Sequence, residues 1–259
     1  MPQVPQPVEQ PQREQGGLLL PLEDLHKPGG GVWNLEGKVN WKKSKLVTFQ
    51  GQPAVRAFYE KGSGTSKDPG VGGFAFTARP AGVPGQKSKI SFEVYFEEGW
   101  HFSKGGKMGG LFVGHGHASG YRHSDTGSSH RIMWKKEGAA IAYVYPPDNL
   151  AQEDPNLKPE GCGIGYFIDL FPAGTLKVGA WNTVTLGVKM NSFTGGRPNP
   201  DGVASLEVNG TQAKLRNVRW SRSPDLQISS FDFNTFFGGP DPAVKDCTAY
   251  FRNFRVLPW

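Results

Sequence analysis

Apolar and polar residues alternate along most of this chain in short runs broken by glycine and proline. "SFEVYFEEGW", residues 91 to 100, shows the pattern: Phe92, Val94 and Phe96 interleave with Glu93, Tyr95 and Glu97. A period of two puts one set on a packed face and the other on a polar face of a strand. The same reading predicts strands at 54–60, 72–78, 88–98, 110–116, 130–136, 140–145, 182–191, 204–210 and 248–257. Hardly any stretch has helical periodicity, and no repeat of fixed length is visible. The expected fold is all-β: an antiparallel sandwich or jelly roll, with the polar face of a concave sheet available to a long ligand.

Composition sharpens this. The first fifteen residues contain nine Pro or Gln and too little apolar surface to order themselves, so 1–17 is expected to be a flexible tail and 18–259 one domain. Lys and Arg outnumber Asp and Glu by 29 to 23. That excess favours an acidic partner but lacks the dense basic clusters of a nucleic-acid binder. No apolar run is long enough for a membrane span, and no signal peptide is recognisable. Two cysteines, Cys162 and Cys247, are too few for a disulfide framework; one bridge or two separate thiols are equally open. Asn209-Gly210-Thr211 is a glycosylation sequon, of a kind that arises often by chance.

Candidate chemistry concentrates in "SSHRIMWKKEGAAIAYVYPP", residues 128 to 147. Ser129 and Arg131 project to one side of a strand, as do Tyr143 and Tyr145, and a turn at Glu137-Gly138 would pair the two strands into one wall. Upstream, "FSKGGKMGGL" places Lys104 and Lys107 around Gly105-Gly106. Lysines three apart face opposite sides of a regular strand, so both enter a cleft only if the glycines form a bulge. His115, His117, His123 and His130 raise the question of a metal. No Cys or Asp cluster completes a ligand set, so no metal is expected.

Taken in order, "KGGKMGGL", "SSHRIMWKKEG", "AYVYPP", "FFGG" and "YFRNFRV" resemble polysaccharide lyase family 14, over the chain from about residue 54 onward. The resemblance implies a β-jelly roll whose active site comprises Lys107, Ser129, Arg131, Tyr143 and Tyr145, with no cofactor. Met108-Gly109 stands where the family more often has Leu-Pro. The implied reaction is β-elimination on a uronate polymer, by removal of the C5 proton and expulsion of the C4 oxygen. Residue types fit it: Arg131 and Ser129 would hold and neutralise the carboxylate, Lys107 would add charge, and a tyrosine would move the proton. Cations within a few Å favour the phenolate form that a tyrosine base requires.

Lys104, His115, His117, Glu93 and Tyr95 are the candidate substrate contacts. The expected partner is an acidic polysaccharide substrate, and the protein is expected to be a monomer acting outside the cell. Two rival readings remain. One is a glycosidase using Glu93 with Glu97; the other is a jelly roll that binds acidic glycan without turnover.

Overall fold

The computed structural model describes residues 16–64, 71–116, 118–119, 124–147, 158–159, 166–169, 175–238 and 242–259. Residues 1–15 of the expected tail lie outside them, as do His117, His123 and Cys162. In chain order the strands are β1 (Leu18–Leu19), β2 (Lys45–Phe49), β3 (Gln52–Tyr59), β4 (Ala75–Ala78), β5 (Lys87–Phe96), β6 (Gly105–Gly114), β7 (Gly127–Lys135), β8 (Ala140–Tyr145) and β9 (Lys158–Pro159). There follow β10 (Tyr166–Asp169), β11 (Trp181–Lys189), β12 (Phe193–Thr194), β13 (Arg197–Pro198), β14 (Gly202–Val208), β15 (Thr211–Val218), β16 (Ile228–Asn234), β17 (Phe236–Phe237) and β18 (Cys247–Leu257).

Two antiparallel sheets form the sandwich. The first runs β15-β14-β11-β5-β18-β3-β2, with β1 beside β18; the second runs β4-β16-β6-β7-β8-β10-β9, with β17 beside β6. Alternation decides what lies between them. Ile90, Phe92, Val94 and Phe96 of β5 and Val184, Leu186 and Val188 of β11 turn inward and are fully buried. Leu111, Ile132, Trp134, Ala142, Phe231 and Phe233 of the second sheet meet them in the same core. The Phe233 ring lies 5.3 Å from Phe92 and 5.2 Å from Phe251, both edge-on, which couples the two layers through aromatic contacts.

Two 3-10 segments, Leu22–His26 and Pro28–Trp33, bury Leu22, Leu25 and Trp33 against this core. The Trp33 indole N–H donates to the Pro21 carbonyl at 2.7 Å, so its polar edge is satisfied where the ring is buried. Among the described residues no helix is long and apolar enough to cross a membrane. Cys247 is a buried free thiol. At the sequon, the Asn209 side-chain nitrogen donates to Asn182 at 2.9 Å, so the amide that would carry a glycan is engaged within the fold.

Candidate active site

The hairpin of β7 and β8 builds one wall of the site. Glu137 and Gly138 both take positive φ, 61° and 79°, and reverse the chain within the short turn. The resulting register sets Ser129 opposite Tyr145 and Arg131 opposite Tyr143, with Met133 opposite Ile141. Directly opposed residues share a face. These six therefore stand together on the outer face of the second sheet, while His130, Ile132 and Trp134 turn into the sandwich core.

β6 supplies the lysine through a bulge. Lys107 pairs with Met133 and Gly110 with Arg131, so Met108 and Gly109 together oppose the single residue Ile132. In a regular strand Lys107 and Leu111 would face the same way. The extra residue lets Leu111 enter the core while Lys107 stays on the outer face beside Arg131. Gly110 is needed for the same approach, since a Cβ there would stand 2.0 Å from the His130 carbonyl oxygen and 2.6 Å from Arg131 Cα. The expected bulge is thus present, at Met108-Gly109 rather than Gly105-Gly106.

The tyrosine hydroxyls hydrogen-bond each other at 2.8 Å, with rings edge to face at 4.9 Å. The Arg131 guanidinium carbon lies 5.4 Å from the Tyr145 ring centroid and 5.8 Å from that of Tyr143. The Lys107 ammonium is 4.8 Å from the Tyr143 ring. Two cations therefore stand against a coupled pair of phenols, an arrangement in which one hydroxyl can stabilise charge on the other. The cluster is covered: Tyr145 is 0% exposed, Tyr143 1% and Arg131 8%, and both tyrosines share a buried apolar cluster with Ala118, Met133 and Ile141. Ser129 contributes to that cover, its hydroxyl donating to the Ala118 carbonyl at 2.7 Å. The proton expected to reach a substrate carboxylate is committed to the backbone instead.

The remaining candidates lie elsewhere. Lys104 is exposed in the turn before β6, and His115 is exposed just beyond its end. Glu93 and Tyr95 are not brought to this face at all. They lie on β5 in the first sheet and point away from the core. There Glu93 accepts from Arg252 at 2.7 Å, and Tyr95 packs with Phe49, at 5.1 Å, and Trp181, at 5.6 Å. Alternation separates the two faces of one strand, but it does not say which sheet the strand joins. The Glu93 and Glu97 pair, raised as a glycosidase dyad, is on the wrong side of the sandwich for the cluster. Glu97 accepts from the Tyr250 hydroxyl at 3.2 Å. Among the described residues no three potential metal ligands converge. His130 is in the core, with Nε2 donating to the Ser205 carbonyl at 2.9 Å, and burial brings its pKa down to about 4.

Three residues on the cluster's face were absent from the sequence-based set. Phe236 of β17 pairs with Lys107, and its ring centroid lies 6.0 Å from the ammonium. Phe112 of β6 pairs with Ser129 and lies 5.6 Å from the Arg131 guanidinium carbon. Asp232 of β16 pairs with Gly110. Its signal was present in "SSFDFN", where polar residues alternate with Phe231 and Phe233.

A sandwich whose outer sheet face sets fixed cations against paired phenols has the constitution of a proton-transfer site for an anionic substrate. The chain belongs to the polysaccharide lyase 14 family, whose model matches residues 48–254. Among solved structures it resembles the alginate lyase vAL-1 from Chlorella virus, with 48% identity and a TM-score of 0.86 over 93% of this chain and 99% of that one. It also resembles the marine PL-14 alginate lyase from Aplysia kurodai, with 26% identity and a TM-score of 0.70 over 83% and 87% of the two chains. Among curated proteins, Exolysin of Paramecium bursaria Chlorella virus 1 is 30% identical over 223 residues, 74% of this chain and 33% of that protein. The chain thus spans about a third of the length of that curated relative.

Proposed function

We propose that this protein cleaves β-1,4-linked uronate polymers, of the mannuronate or glucuronate type, by β-elimination. The observation that carries the reading is the hydrogen-bonded pair Tyr143 and Tyr145 with the charges of Arg131 and Lys107 against their rings. Family membership and the likeness to an alginate lyase at 48% identity support it. In the reaction Arg131 neutralises the uronate carboxylate and so makes the C5 proton removable. Tyr145 takes that proton, the C5–H electrons become the C4=C5 double bond, the C4–O bond breaks, and the leaving oxygen is protonated. Lys107 stabilises the enolate-like charge that develops on the carboxylate, and Tyr143 holds Tyr145 and the sugar. Ser129 anchors the backbone at Ala118, and a polymer that reaches the phenols must displace the residues that cover them. Polymeric uronates are mostly extracellular, so we infer that the protein acts outside the cell.

One phenol serving both as base and as acid works on a single side of the ring. Mannuronate and glucuronate have the C4 and C5 configuration that allows this syn elimination, whereas guluronate is inverted at C5. A panel of polymannuronate, polyguluronate and glucuronan, assayed for the ultraviolet absorbance of unsaturated ends, tests the proposal. Absorbance is expected from polymannuronate or glucuronan, with polyguluronate poor. Cleavage without unsaturated ends would establish a hydrolase, and preferential cutting of polyguluronate would overturn the single-phenol mechanism.

A further inference from the structure

The row of residues that contains Arg131 continues across the second sheet. Thr77, Asp232, Gly110, Arg131 and Tyr143 are successive ladder partners on β4, β16, β6, β7 and β8. Asp232 therefore shares the outer face with Arg131, and only a residue without a side chain separates them. Arg131 occupies that gap, its Cγ standing 2.6 Å from where a Cβ on Gly110 would be. Two strand spacings, about 9.5 Å, are within the combined reach of an arginine and an aspartate.

Asp232 is an unusual residue to find there. Its Oδ1 is buried without a hydrogen-bond partner. Burial raises the carboxyl above the usual aspartate range, the Ser230 and Thr77 hydroxyls lower it again, Glu36 pushes it up, and the Arg131 charge pulls it down. A half-satisfied buried carboxyl costs stability, and the Ser230 and Thr77 hydroxyls, then the Arg131 charge, offset part of that cost. The rings around Arg131 attract its charge, but a cation–π contact is weakly directional. The Asp232 carboxyl adds a charge that attracts the guanidinium from the β16 side of the sheet.

We propose that Asp232 is a positioning residue for Arg131, acting across Gly110 to keep the guanidinium aimed at the substrate carboxylate. The proposal rests on the lyase reading, with Arg131 as the carboxylate's partner. It accounts for a buried carboxyl on a face that must receive an anion: the negative charge repels substrate at long range, yet it steadies the cation that neutralises the substrate carboxylate.

A double-mutant cycle tests this, using Asp232→Ala, Arg131→Lys and the pair, with kcat and KM measured on whichever uronate polymer the wild type cuts and melting followed in parallel. Asp232→Ala should lose on the order of tenfold in kcat/KM, mainly through KM, and Asp232→Asn should recover part of it. In the Arg131→Lys background the same change should have little further effect. Additive losses, or wild-type kinetics in Asp232→Ala, would overturn the proposal. If Asp232→Ala does not fold, the near-isosteric Asp232→Asn decides alone: a raised KM at unchanged melting supports positioning, and an unchanged KM refutes it. A wild type that neither cuts nor binds uronate polymers would instead remove the lyase reading, and this proposal with it.

Discussion

Arg131 is the residue on which most of the chemistry turns. It is nearly buried, placed by ladder pairing opposite Tyr143, and its neighbours on three sides are aromatic rings. Arg131→Ala is expected to lower turnover by about 10²–10³, the scale for losing one preorganised donor to developing charge. The core on the other side of β7 is untouched, so the fold should survive, with melting lowered by the loss of the charge that helps offset the buried Asp232 carboxyl. Near-normal activity in that variant would remove Arg131 from the mechanism. Tyr145→Phe deletes one oxygen from the phenol pair with minimal change in packing. It should retain oligosaccharide binding and lose almost all turnover, and equal activity would transfer the base to Tyr143 or Lys107. Lys107→Ala should be severe and Lys104→Ala mild, because the first stands over Tyr143 and the second is exposed in a turn.

At the level of elements, the bulge in β6 connects the sequence to the site. Gly110→Ala would drive a methyl to 2.0 Å from the His130 carbonyl, which is backbone in the neighbouring strand and cannot yield without breaking the ladder. That variant should lose activity and melt well below the wild type, whereas Gly16→Ala, with no atom within 4 Å, should do neither. Equal melting of the two would show that β6 and β7 approach less closely than described. The strands themselves were legible where one face is buried and the other partly exposed, as in β5 and β11. β2 and β15 were not, because both are edges of the first sheet and carry little buried surface to impose alternation on the sequence. β16 was hidden differently: "ISSFDFN" begins with serines that dilute an otherwise regular pattern, and with it went Asp232. The hairpin that gathers Ser129, Arg131, Tyr143 and Tyr145 could be read locally. Which strands lie beside that hairpin depends on pairing between distant segments, and alternation carries no information about that. Glu93 and Tyr95 were misplaced for this reason.

Across the whole molecule, the two sheets are joined by more than apolar contact. His130, in the strand that bears Ser129 and Arg131, donates through Nε2 to the Ser205 carbonyl of the opposite sheet, so Nε2 must hold the proton and Nδ1 is left buried without a partner. Burial favours the neutral ring and depresses its pKa from 6.5 to about 4, with the Ser205 contact opposing the shift. The unfolded chain protonates this histidine below about pH 6.5, while the folded chain cannot until about pH 4, so the unfolded state binds more protons in between. The stabilisation from a neutral His130 is therefore complete above pH 6.5 and is lost as pH falls toward 4, by about 3 kcal/mol in all. His130→Gln keeps a donor for Ser205 but does not titrate. Denaturant unfolding at pH 7.5, 5.5 and 4.5 should show wild-type stability falling relative to this variant as the solution is acidified. Carboxylates whose pKa values are lowered by folding, such as Glu60 and Asp201, weaken both proteins alike in acid, so the difference between the two isolates the histidine. Parallel stability curves would mean that His130 accepts a proton within the fold, and that the sheet junction behind the candidate site is open to water.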